Sequence, residues 1–88
     1  MTELLKRIND ELKRNYDEVV IGGRTLFDMK DGSFFKIDEF SDHGPFVIEY
    51  AEDLKAAEKG WLDDGEVFPR DMVFSQLISE IKECVANA

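Results

Sequence analysis

Asp38, Glu39, Asp42 and His43 place three carboxylates and the chain's one imidazole within six residues. Oxygen and imidazole donors of this kind hold divalent cations, so the segment is a candidate centre for a metal-dependent enzyme or sensor. Metal sites draw ligands from more than one segment, and this spacing matches no known ligand motif. The competing reading is a solvated turn in which Asp42 caps nearby amides. Asp63-Asp64-Gly65-Glu66 has the composition of part of a calcium loop. Counted from Asp63, however, the twelfth position is Phe74, which offers no oxygen. The single thiol, Cys84, falls on an apolar helical stripe beside Ile81 and Val85, where it reads as a buried structural cysteine. The chain contains no nucleophile elbow, P-loop, dinucleotide fingerprint or zinc-protease motif. No catalytic residue, bound metal or cofactor is therefore assigned, and a non-enzymatic protein is expected.

Charge is the stronger signal. Ten of the twenty carboxylates lie between Asp38 and Glu66, opposed there only by Lys55 and Lys59, a net of −8 in a chain of net −9. A surface this negative repels nucleic-acid phosphates and anionic membranes and attracts basic proteins. Small, acidic and catalytically bare chains of this kind resemble bacterial immunity or antitoxin-like proteins in composition. The expected activity is accordingly binding of a basic protein partner. A homodimer with a structural role, formed through an outer sheet face, is the alternative. With 88 residues the chain suffices for one small domain spanning 1–88. One cysteine excludes an internal disulfide, and the apolar runs are too short for a membrane span or a signal core. A cytoplasmic location is expected.

The elements that would position these residues follow from periodicity. Leu4, Leu5, Ile8 and Leu12 share one face of an expected helix over Thr2–Asn15, with Thr2 as N-cap. Four strands are predicted at Asp17–Ile21, Arg24–Met29, Ser33–Asp38 and Phe46–Tyr50, with hairpin signals at Gly22-Gly23 and Asp31-Gly32. A short helix over Ala51–Lys59 is expected to end at Gly60 and to turn Leu54, Ala57 and Trp61 toward the sheet. Glu66–Phe68 is a candidate edge strand. A last helix capped by Asp71 or Ser75 carries Phe74, Leu77, Ile78, Ile81, Cys84 and Val85 on one face. The fold class is α+β: an N-terminal helix, a four-stranded antiparallel meander, and two C-terminal helices packed on one face of the sheet.

Alternation leaves one large apolar residue per strand on the opposite face: Val20, Leu26, Phe34 and Val47. Leu26, Phe34 and Val47 are thus candidate partner contacts, as is Phe68. Trp61 is a candidate anchor, although packing beside Leu54 is its favoured reading. Asp63, Asp64 and Glu66 are the candidate charges that steer a partner.

Overall fold

The computed structural model describes residues 2–88. Helix α1 (Glu3–Leu12) begins where the sequence predicts: Thr2 is extended, and its Oγ1 accepts from the Leu5 N–H at 3.3 Å. Then come β1 (Asp17–Ile21), β2 (Arg24–Asp28), β3 (Phe34–Glu39), β4 (Phe46–Ala51), α2 (Leu54–Lys59), β5 (Asp63–Phe68) and α3 (Phe74–Ala86). The sheet has five strands rather than four, all antiparallel, in the order β1-β2-β3-β4-β5. The candidate edge strand at Glu66–Phe68 exists and starts three residues earlier. Helix α3 begins at neither expected cap, because Val73 occupies the N-cap and makes no side-chain bond.

Two cores flank the sheet. Phe27, Phe35, Ile37, Phe46, Ile48 and Phe68 face α1 and α3, meeting Leu5, Ile8 and Leu12 from the first and Leu77, Ile78, Ile81 and Val85 from the second. Successive strand residues point to opposite faces, so Leu26, Phe34 and Ala51 face the other way. Ala56 and Ala57 of α2 bury them there. The expectation that both C-terminal helices share one face is thus corrected. Helix α2 lies on the face opposite α1 and α3, and its two alanines let it approach closely. Leu54 and Trp61, expected to face the sheet, are turned away from it and exposed.

Tight turns fix the position of α2. Asp53 caps it, accepting from the Ala56 N–H at 2.7 Å, and Gly60 ends it in the left-handed region at φ 75°. The Gly22-Gly23 turn has φ 59° and 79°, a two-residue hairpin closed by Ile21 and Arg24. Gly22 docks on the end of α2: a Cβ there would stand 2.6 Å from the Glu58 carbonyl oxygen.

A polar knot ties the ends of several elements together. The Thr2 N–H and hydroxyl donate to Glu39 at 3.3 and 2.9 Å. Arg70, between β5 and α3, pairs with the same carboxylate, donates from Nε to the Gly44 carbonyl at 2.7 Å, and lays its guanidinium 4.7 Å from the Phe46 ring centre.

Candidate functional site

Strand β5 is an edge of the sheet, and five of its six residues are exposed. Opposite Ile48 its pairing slips by one residue, between the pairs Val47↔Val67 and Glu49↔Asp64. Gly65 sits at this bulge against Tyr50, where a Cβ would come within 2.7 Å of the ring. The bulge sends the acids of β5 to both sides. Asp64 lies across from Glu49 on the outer face, whereas Glu66 joins Glu80, Glu83, Tyr50, Cys84 and Asn87 around a cleft of about 430 Å³ beside α3. Edge strands commonly carry charge and bulges to prevent unwanted pairing, and β5 has both.

On the outer face Glu49 stands between Lys36 of β3 and Asp64 of β5, with Asp38 two residues along β3 from Lys36. Burial pushes its carboxyl above the usual carboxylate range; Lys36 opposes the shift, and Asp38 and Asp64 add to it. Its Oε1 is buried without a hydrogen-bond partner among the described residues. A carboxylate whose folded pKa is raised binds its proton more tightly when folded, so stability falls as pH rises through that folded value. Glu49→Gln should therefore stabilise the protein at pH 7, with the gain shrinking once the native carboxyl is protonated in acid. Urea titrations at pH 7 and pH 4 measure this, and a gain as large at pH 4 would contradict it.

Large apolar side chains stand exposed near this edge. Trp61 is 59% exposed, Leu54 53% and Val67 48%. Trp61 follows the left-handed Gly60, its N–H donates to the Ala56 carbonyl at 2.9 Å, and the Lys55 Nζ lies 5.8 Å from its ring centre. Packing beside Leu54, its favoured reading in the sequence, is not how the tryptophan is used. Periodicity misplaced it because the helix ends before the stripe reaches it.

Other sequence-predicted contacts are withdrawn from the surface. Leu26, Phe34 and Val47 are buried, the first two beneath α2, and Phe68 lies in the core under α1 and α3. A partner meeting the folded protein does not reach these four. Val20, placed in the same outer row by alternation, pairs with Thr25 and is exposed; Val19 is the residue opposite Leu26. The signal that could have revealed the helical cover was the Ala56-Ala57 pair, together with three apolar outer residues in need of burial.

The acidic stretch is also narrower in effect than its sequence. Asp38 pairs with Lys36 at 3.6 Å, Glu39 with Arg70, and Asp53 is spent as a helix cap. What stays open on β5 is Asp63, Asp64 and Glu66, the first two within three residues of Trp61, and Glu66 on the side of α3. In the Asp38–His43 segment, Asp38 also accepts from the Glu39 N–H, and Asp42 and His43 are exposed. Among the described residues no three His, Cys, Asp or Glu side chains converge as a metal centre requires. Cys84 is half-buried, with its Sγ 3.2 Å from the Tyr50 hydroxyl. Burial, the thiol and Glu66 all push the Tyr50 phenol up, so it is no base for that thiol at neutral pH.

Comparison with known proteins finds no family model, no curated protein and no solved structure that matches this chain. No helix among the described residues is long and apolar enough to cross a membrane.

Proposed function

We propose that this is a non-enzymatic binding module that engages a basic protein through the β5 edge. Asp63, Asp64 and Glu66 steer the approach, and Trp61 is the apolar anchor. The observation that carries this reading is the exposure of Trp61 beside an open strand whose three acids have no basic partner within ion-pairing distance among the described residues. Grouped charge speeds encounter, while a desolvated tryptophan supplies the affinity that charge alone does not. The immunity- or antitoxin-like role suggested by composition is one form such a module would take. The rival homodimer through the outer strand row is less favoured, because Leu26 and Phe34 of that row pack against Ala56 and Ala57 of α2.

Affinity capture from native lysate with the wild type and with Trp61→Ala tests this. A protein with a basic surface should be retained by the wild type and lost, or weakened at least about tenfold, with the variant, as removal of an interface tryptophan commonly costs more than 1.4 kcal/mol. Its association rate should fall about tenfold or more from low to physiological salt, where the Debye length is roughly 8 Å. Equal capture by the variant, or a salt-independent rate, would sink the proposal.

A further inference from the structure

The two free edges of the sheet are built differently. Strand β5 carries three acids, a glycine and a bulge, devices that keep an edge from pairing. Strand β1, at the other edge, has neither glycine nor bulge. It pairs with β2 through all five residues without a slip, and Val19, Val20 and Ile21 are β-branched. Its two carboxylates are answered within the chain, Asp17 by Lys30 and Glu18 by Lys13 at 3.6 Å. The β1–β2 hairpin also parts from the sheet toward its tip, since β2 shares only Phe27↔Phe35 and Asp28↔Phe34 with β3. Near that tip Val20 is 72% exposed, the highest value of any large apolar residue described.

The main-chain groups that β1 leaves free follow from the turn. Gly22-Gly23 has positive φ at both positions, so the closing pair, Ile21 and Arg24, exchanges hydrogen bonds. Alternation then turns Val19 and Asp17 toward β2 as well, and turns the N–H and C=O of Glu18 and Val20 outward. Two such edges fit each other antiparallel about a two-fold axis at Val19. Glu18 of each copy then exchanges main-chain bonds with Val20 of the other, and the two Val19 side chains meet as a close non-hydrogen-bonded pair. No like charges stand opposite each other, because Glu18 faces Val20 and Asp17 faces Ile21.

Charge selects the occupant of this edge. Residues 1–36, which contain α1, β1, β2 and the start of β3, hold seven basic and seven acidic side chains, so the whole net −9 lies in the rest of the chain. Of that remainder, α2 reaches the hairpin tip, and it sets Lys55 and Lys59 against Glu58. The acids of β5 lie four strand spacings from β1. At about 4.8 Å per spacing this is more than twice the Debye length of roughly 8 Å at physiological salt. Two copies meeting at β1 therefore join neutral halves and hold their acidic halves apart. Pairing β5 with β5 would set acid on acid. Pairing β1 with β5 would meet the bulge and bring the same acids toward Asp17 and Glu18.

We propose that a second copy of this chain pairs with β1 edge to edge, antiparallel about Val19, to make one continuous sheet with five strands from each copy. The contact is distinct from the outer strand row. It leaves the β5 edge open in both copies and does not depend on the reading given to that edge.

Sedimentation equilibrium of the full chain from about 10 μM to about 1 mM, with amide exchange by NMR at both limits, tests this. The dimer fraction should rise with concentration. The Glu18 and Val20 amides should slow by about fivefold or more, while those of Val19 and Ile21, already laddered to β2, should change little. Val20→Glu meets Glu18 of the other copy twice across the axis and should weaken dimerisation by about tenfold or more. Val20→Lys, which meets the same carboxylate with opposite charge, should leave it within about threefold. Both variants should keep the wild-type urea midpoint, because Val20 is exposed in the single copy. A chain that stays monomeric at the highest concentration would overturn the proposal. So would a dimer indifferent to Val20→Glu or weakened as much by Val20→Lys, or protection gained at β5 instead of β1.

Discussion

Phe34→Asp should remove roughly 4–6 kcal/mol of folding stability at 25 °C. Phe34 is only 9% exposed, with Ala51 opposite it on β4 and Ala56 and Ala57 above. Losing a buried phenylalanine costs about 3–5 kcal/mol by itself. The new carboxylate would stand directly across from Asp28 on β2, where like charges repel, and would need either a proton or water to survive under α2. The combined loss of roughly 4–6 kcal/mol compares with a total of about 4–13 kcal/mol for a chain of this length. Phe34→Leu, which keeps most of the apolar volume, should cost about 1–1.5 kcal/mol. Urea denaturation of both variants decides the matter. A Phe34→Asp loss below about 2 kcal/mol would mean that α2 does not cover this residue.

Arg70→Met should cost about 2–4 kcal/mol at pH 7, because it strands the Glu39 carboxylate, whose side chain is 9% exposed. The same change removes the bond to the Gly44 carbonyl and the cation over Phe46. Burial pushes the Glu39 carboxyl up, but the bonds from Thr2 and Arg70 outweigh it and hold the group below the usual carboxylate range. A carboxylate depressed in the folded state contributes stability above its unfolded pKa and loses it as pH falls through the lower folded value. The difference between wild type and Arg70→Met should therefore be full near neutrality and shrink in acid. Restoring charge balance with Glu39→Gln in the Arg70→Met background should recover part of the loss. A neutral-pH difference under about 0.5 kcal/mol would show the knot to be solvated rather than structural.

Local signals made much of the architecture legible. The stripe Leu5, Ile8, Leu12 and the stripe Leu77, Ile78, Ile81, Val85 each have one helical solution, and both meet the same sheet face. Gly22-Gly23 between two β-branched and apolar runs has one short-range reading, a hairpin. Strand β5 was partly hidden because Asp63, Asp64 and Gly65 have poor strand propensity, and a bulge breaks their alternation; pairing with β4 overrides both. The side taken by α2 was hidden because six residues are too few to display an apolar stripe, and alanines rather than leucine or tryptophan do the covering. That error carried into the candidate site. It left Leu26, Phe34 and Val47 on the outside and turned Trp61 inward, while the acids of β5 were correctly read as exposed. The separation of β2 from β3 leaves no trace in composition or spacing, since register beyond a turn is set by tertiary packing.

The docking of Gly22 onto the Glu58 carbonyl also makes the chain's two glycine turns unequal as places to alter it. The β1–β2 tip is clamped beneath a helix end, so lengthening it, cutting it to relocate the termini, or attaching a dye there would pry α2 from its seat. Gly32, at the tip between β2 and β3, has no neighbouring atom within 4 Å of where a Cβ would stand. An inserted tag or a new pair of chain ends belongs at that second tip.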